Sequence, residues 1–138
     1  MKRHFARSAL VYAPCNLVGG LFYRQFTKAF AFEGETTLSV VHTPYFGLGM
    51  AFMLALLALE ASLEFATTAT KKWSLLYHLG LNVTVAMLVA RGVTQVLGCE
   101  LSRAFDASMS GLTGLGHIPL SVALIGLSSQ VLGATKEK

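Results

Sequence analysis

Three long stretches of this 138-residue sequence contain no Asp, Glu, Lys or Arg. They cover residues 36–59, 73–90 and 107–135, and they are 24, 18 and 29 residues long. A helix needs about 20 mostly apolar residues to cross a bilayer. Charged residues make up only 13% of the chain and hydrophobic residues 54%, so too few polar groups remain to cover a water-soluble domain. The sequence therefore predicts an integral membrane protein.

A fourth uncharged stretch, residues 8–23, lies between Arg7 and Arg24. Because arginine side chains at helix ends can extend to the membrane interface, we interpret this stretch as the first span. The predicted spans are residues 6–26, 36–59, 73–97 and 108–132, and they are helices because backbone hydrogen bonds in lipid must be satisfied internally. The predicted fold class is an all-α integral membrane protein, a single four-transmembrane-helix bundle over residues 1–138.

The distribution of basic residues predicts the orientation of the four spans. An even number of spans places both termini on one side, which would carry seven basic residues against four on the other. An excess of Lys and Arg marks the cytoplasmic side, so we predict a multi-pass protein of the bacterial cytoplasmic (inner) membrane with both termini in the cytoplasm. The net charge of +4 is then a consequence of topology. We predict membrane lipid around the bundle and no nucleic-acid partner.

Four ionisable residues fall within or near the predicted spans: His42, His78, Arg91 and His117. Such residues are expensive at membrane depth and are functional candidates for that reason. His42 and His117 are each followed by a proline two residues later. Because proline cannot donate the usual backbone hydrogen bond and clashes with the preceding turn, we expect both helices to bend near these histidines. At 1.5 Å of rise per residue, both histidines are expected roughly 10 Å below the outer membrane edge, and His78 about 12 Å or more deeper.

Two histidines at one depth on facing helices are a ligand set for haem b, in which each imidazole gives one axial nitrogen to the iron. Gly49 lies on the same face of the second helix as His42, and Gly114 lies on the same face of the fourth helix as His117. Both glycines would let a flat ring approach closely. Arg91, near the outer surface, would pair with the haem propionates. The sequence therefore predicts haem b held by His42 and His117 as axial ligands, with a role in electron transfer or in binding a diatomic gas.

Other interpretations remain open at this stage. A copper or zinc site would need a third or fourth ligand, and no motif supplies one. A proton or ion pathway through an oligomer is another possibility. The main alternative is a small transporter, channel or membrane assembly subunit without a cofactor, in which His42, His117 and Arg91 line a polar path or lock helices together.

For His78, beside Tyr77 and Lys72 near the interface, a structural role is the simpler explanation. Whether the protein is an enzyme stays open.

Most of the chain resembles a family of small uncharacterised bacterial four-helix membrane proteins. The resemblance is carried by residues 22–28 (FYRQFTK), 34–43 (GETTLSVVHT), 48–50 (LGM), 90–98 (ARGVTQVLG) and 106–118 (DASMSGLTGLGHI). It implies the four-helix fold more than any activity. Members of that family tend to carry His-Thr-His where this chain has His42-Thr43-Pro44, so Pro44 removes one candidate ligand from the second helix.

A more distant resemblance is to the catalytic subunit of haem-copper oxidases. That subunit has twelve helices in three similar groups of four, and the second helix of a group carries haem-ligating histidines in its outer half. His42 lies at the matching place of this chain. The resemblance implies a one-third-size relative that binds haem between protomers. In a homotrimer, the haem ligands would be His42 residues of different protomers rather than His42 with His117. We expect a quinone or another redox partner as a possible electron partner. The resemblance is an analogy of architecture.

Overall fold

We analysed a computed structural model, which describes residues 1–136. Those residues form four long helical segments. Helix α1 spans Lys2–Ala29, helix α2 spans Thr37–Leu63, helix α3 spans Thr68–Val96, and helix α4 spans Arg103–Lys136. The described part of the chain contains no strand, so the all-helical fold class is confirmed.

Three of the four helices, α2, α3 and α4, are long and apolar enough to cross a membrane. These helices contain the predicted spans at residues 36–59, 73–97 and 108–132, except that α2 begins one residue late and α3 ends one residue early. Each helix also continues beyond its apolar stretch into polar residues. Helix α1 is 28 residues long and covers the predicted span at residues 6–26, but Arg3, Arg7, Arg24 and Lys28 lower its mean hydropathy.

Helix α2 is irregular around His42. It begins as a 3₁₀ helix at Thr37–Val40, continues as one α turn at His42–Pro44, widens to a π-helix at Tyr45–Ala51, and ends as an α-helix at Phe52–Leu63. Proline removes a backbone donor and clashes with the preceding turn, which accounts for a change of helix type beside Pro44. Segments of π-helix are rare in proteins, and those that occur are often found at functional sites.

The helices alternate in direction. At one end, the amino-terminal ammonium pairs with Glu60 at 3.4 Å, and Thr70 donates a hydrogen bond to Gln130. At the other end, the Thr36 hydroxyl donates to the Gly92 carbonyl at 3.0 Å. Helix α1 packs on α2, α2 packs on α3, and α4 packs on α3 and on the Phe52–Leu63 segment of α2. One side of α4 therefore has no neighbour among residues 1–136.

Helices α3 and α4 approach each other closely at two glycines. A Cβ atom on Gly80 would lie 2.5 Å from the Leu120 backbone nitrogen, and one on Gly116 would lie 2.9 Å from the Thr84 backbone nitrogen. No side chain fits at either position, so the backbones themselves are in contact. Small residues allow this tight packing between membrane helices, and it fixes the rotation of α4 on α3.

Candidate functional site

A hydrogen-bonded network joins α1 to α3 and is centred on His78. Its Nδ1 atom lies 2.8 Å from the Tyr12 hydroxyl, and its Nε2 atom lies 3.2 Å from the Ser8 hydroxyl and 3.3 Å from the Ser74 hydroxyl. Asn82 completes the network, because its side-chain amide donates to the Tyr12 hydroxyl at 3.1 Å. Both ring nitrogens of His78 therefore have partners within the protomer.

The network reaches the surface through His4. The Nε2 atom of His4 lies 2.6 Å from the Ser74 hydroxyl, and its ring lies 5.5 Å from the ring of His78, centroid to centroid. Burial and the nearby amino-terminal ammonium lower the pKa of His4, because both disfavour the charged imidazolium. A cavity of about 250 Å³ opens here and is lined by His4, Arg7, Ser8, Val11, Tyr12 and His78.

His117 lies on the side of α4 that has no neighbour in the protomer. The residue is exposed, and its Nδ1 atom lies 2.8 Å from the Thr113 carbonyl one turn earlier. Because a carbonyl oxygen only accepts, Nδ1 must carry the proton, and the neutral ring then has its lone pair on Nε2. Metal-binding histidines are oriented in the same way, with one ring nitrogen donating to a carbonyl or carboxylate.

His42 lies against α1, where its backbone passes Gly19. A Cβ atom on Gly19 would be 3.5 Å from the Cα atom of His42, an ordinary van der Waals distance, so the two backbones run side by side here. The Nδ1 atom of His42 is buried and makes no hydrogen bond. A buried polar group without a partner is unusual in a folded protein and marks a position that needs an explanation.

The other three predicted site residues have different surroundings. Arg91 forms an ion pair with Asp106 and donates to the Ser110 hydroxyl at 3.2 Å. Gly49 is buried against the ring of Tyr12, which would lie 2.6 Å from a Cβ atom at this position. Gly114 is exposed, and a Cβ atom there would meet nothing within 4 Å.

The structure shows no contact between His42 and His117 within the described residues. His42 belongs to the part of α2 that packs on α1, whereas α4 packs on α3 and on the later part of α2. Of the five predicted cofactor residues, Gly114 and His117 lie on the outer side of α4, and Arg91 contacts the same helix at Ser110, one turn before Gly114. Among residues 1–136, no group of three or more His, Cys, Asp or Glu side chains is arranged to hold a metal ion.

The chain was compared with known protein families, curated proteins and solved structures. Residues 1–134 match the model of a family described as protein of unknown function (DUF2871). The chain belongs to this family. No curated protein matches the chain, and no solved structure matches it. The membership confirms the expected family of unknown function, and it assigns no ligand or activity to the residues above.

The network around His78 includes residues that the sequence analysis did not connect. Ser74, His78 and Asn82 follow one another at intervals of four on α3, and His4, Ser8 and Tyr12 do so on α1. Residues four apart lie on one face of a helix. Two polar faces of matching length, on helices that run parallel to each other, were the signal that would have predicted this contact.

Proposed function

We propose that this protein is an integral membrane haem b protein that forms a homo-oligomer and binds the haem between protomers. His117 is one axial ligand and His42 of an adjacent protomer is the other. Bound haem b would supply one-electron redox chemistry or, with one ligand displaced, a site for a diatomic gas. The electron partner would be a membrane quinone or a redox protein. The observation that carries the proposal is the geometry of His117.

His117 meets the chemical requirement for an axial ligand in its present orientation. Its Nδ1 atom is held by the Thr113 carbonyl, so the lone pair on Nε2 is available to a metal. The residue lies among exposed apolar side chains of α4, including Leu115 at 60% and Ile118 at 61% exposure. An imidazole left against lipid is costly, and a ligand or neighbouring protomer would remove that cost.

The position of His42 supports a haem shared by two protomers. Val41, next to His42, lies in a groove with Val85 of α3, and Gly116, next to His117, packs against Thr84 of α3. The neighbours of both histidines therefore contact the same turn of α3, which supports a common depth for His42 and His117. Since the protomer does not join them, a neighbour is needed to complete the pair. A trimer is the assembly we propose from the architectural analogy.

We place the protein in a cytoplasmic membrane with four spans and both termini in the cytoplasm. Helix α1 supports a fourth span because it is 28 residues long and exposes large apolar side chains along its length, with Leu10 at 73% and Leu17 at 72% exposure. The charged residues near its ends can extend to the interface. The excess of basic residues at the end that holds the termini supports the orientation.

The absorption spectrum of the purified protein tests the proposal. The full chain is expressed with haem supplementation, purified in mild detergent, and measured in the oxidised and reduced states. We expect a Soret band, which His117→Ala and His42→Ala remove or shift to that of a five-coordinate haem. His78→Asn is the matched control, because this imidazole is bound within the protomer, and we expect its spectrum to equal that of the wild type. A colourless oligomer after supplementation overturns the proposal.

A second candidate function is a transporter, channel or assembly subunit without a cofactor. The pairing of Arg91 with Asp106 and Ser110 favours it, because the residue expected to bind propionates already has partners. On this alternative His117 bonds directly to a neighbouring protomer. The preparation would then be colourless, and His117→Ala would reduce the oligomer mass without any spectral change.

A further inference from the structure

The contact between α1 and α3 holds two imidazoles linked by one hydroxyl group. The Nε2 atom of His4 lies 2.6 Å from the Ser74 oxygen, and the same oxygen lies 3.3 Å from the Nε2 atom of His78. Ser74 is 1% exposed, so water does not compete for its hydroxyl. A hydroxyl is both donor and acceptor and can pass a proton between two bases that it bridges.

We infer that His4, Ser74 and His78 form a proton-transfer path from the amino-terminal surface of the bundle to a protonation site inside it. The inference does not depend on haem. In the transfer, the Nε2 proton of a charged His4 passes to the Ser74 oxygen while the Ser74 hydroxyl proton passes to Nε2 of His78. His4 becomes neutral, His78 becomes an imidazolium, and Ser74 is a neutral hydroxyl before and after. One proton has moved inward and no other bond has changed.

The surface end of the path is open to protons. His4 is exposed and borders the cavity of about 250 Å³ that also contacts Arg7. The amino-terminal ammonium, the second nearby cation, is paired with Glu60. Partial desolvation of the His4 ring and the charge of the amino-terminal ammonium both lower the pKa of His4, because each disfavours the imidazolium, and both favour release of its proton.

The inner end can accept a charge because the Tyr12 oxygen accepts a hydrogen bond from Nδ1 of His78. For Nε2 to have a free lone pair, neutral His78 carries its one ring proton on Nδ1, which donates to the Tyr12 oxygen at 2.8 Å. Protonation at Nε2 leaves this bond in place, and the Tyr12 oxygen also accepts from the Asn82 amide at 3.1 Å. The remaining groups that face His78 are the Ser8 hydroxyl and the ring of Tyr77. No carboxylate among the described contacts would trap the proton on His78.

One observation separates a proton path from helix packing. A packing role needs hydrogen bonds only, and an amide would make them as well as an imidazole. The structure uses an imidazole at both ends of the Ser74 hydroxyl, and imidazole is the only side chain whose unperturbed pKa lies near neutral pH. The substitution His4→Gln therefore keeps a bond to Ser74 and removes the proton carrier.

The test is the rate at which the His78 ring nitrogens exchange hydrogen with deuterated buffer. The full chain, with ¹⁵N-labelled histidine, is reconstituted in lipid bilayers and followed by solid-state NMR, with the His78 signals identified by their loss in His78→Asn. We expect His4→Gln and Ser74→Ala to slow the exchange by at least about tenfold, since positioned acid–base groups usually accelerate proton transfer by more than that. Ser74→Thr keeps the hydroxyl and should keep the rate.

Unfolding is measured in parallel for each variant. His4→Gln lies at an exposed position and should fold normally, so its rate decides the question even if the buried Ser74 variants are unstable. A rate for His4→Gln within twofold of the wild type overturns the inference and assigns the network to helix packing. A haem spectrum that is absent while exchange slows as expected would overturn the proposed function alone.

Discussion

His78 and His117 lie on the two helices that pack most closely together, and their surroundings are opposite. His78 has hydrogen-bond partners at both ring nitrogens, supplied by α1 and by its own helix. His117 has one partner, the carbonyl of its own helix, and its other nitrogen has none in the described chain. In a membrane, where water is scarce, a polar group must find its partner in protein or ligand.

His78 belongs to the contacts that stabilise the fold, whereas His117 is available for contact with another chain or a ligand. The sequence favoured a structural role for His78 and a ligand role for His117, and the packing of α4 on one side of α3 explains why their surroundings differ. The inner side of α4 packs closely on α3 at Gly80 and Gly116, and the outer side of α4 carries Gly114 and His117. We expect changes on the inner side to affect folding, and changes on the outer side to affect assembly or ligand binding.

The largest effect is expected at the inner side of α4. Gly116→Leu places a side chain where a Cβ atom is already 2.9 Å from the Thr84 nitrogen, so the helices must separate. Overpacking of this kind costs about 3 kcal/mol. Unfolding in mixed micelles should show that loss, while Gly111→Leu, with nothing within 4 Å of its Cβ position, should unfold like the wild type. Equal destabilisation by both variants would contradict the assignment of the two sides.

A smaller loss is expected when the His78 network is broken. His78→Ala leaves the Tyr12 hydroxyl and the buried Ser74 hydroxyl each without one partner, and an unsatisfied buried group costs about 1–3 kcal/mol. The same unfolding measurement should give a loss of about 2 kcal/mol. His117→Ala serves as the comparison and should change the unfolding of the protomer by less than about 0.5 kcal/mol. The reverse order of the two losses would refute the division between inner and outer histidines.

The same His117→Ala variant should weaken assembly. Removing the imidazole takes away the group that we expect to bind across the protomer interface, so the dissociation constant should rise about tenfold or more, which corresponds to about 1.4 kcal/mol. Native mass in detergent, measured over a series of protein concentrations, gives this value. Ser121→Ala, on the same exposed side, is the control and should leave the mass distribution unchanged. An unchanged mass for His117→Ala would place the interface elsewhere.

The all-helical fold and the positions of the helices were predictable because charge-free stretches and backbone hydrogen bonding in lipid leave few alternatives. The change of helix type beside His42 was predictable in part, since Pro44 was expected to disturb that turn. The equivalent position at Pro119 shows no such change, and α4 continues as α-helix through it. A proline can be accommodated in a long membrane helix when neighbouring groups satisfy the freed backbone.

The grouping of side chains was harder to predict. The spacing of residues shows which side chains share a face of one helix but not which faces meet, because the rotation of a helix about its axis depends on contacts such as those of Gly80 and Gly116. His4 lies outside the predicted spans and was not among the four ionisable candidates, yet its spacing from Ser8 and Tyr12 places it in the network. Gly49 was expected beside a cofactor, and the structure places the ring of Tyr12 there.

The smallest expected effect concerns Arg91, and it sharpens the choice between the two proposed functions. The ion pair with Asp106 is largely exposed, so its loss should cost less than about 1 kcal/mol of stability. If the pair is all that Arg91 provides, Arg91→Gln and Asp106→Asn will have equal effects on unfolding and neither will change the Soret band. If Arg91 also binds a haem propionate, Arg91→Gln will speed haem loss to apomyoglobin while Asp106→Asn, which frees the guanidinium, will slow it or leave it unchanged. Haem transfer followed at the Soret wavelength distinguishes these outcomes, because only a propionate contact makes the two halves of one ion pair act in different directions.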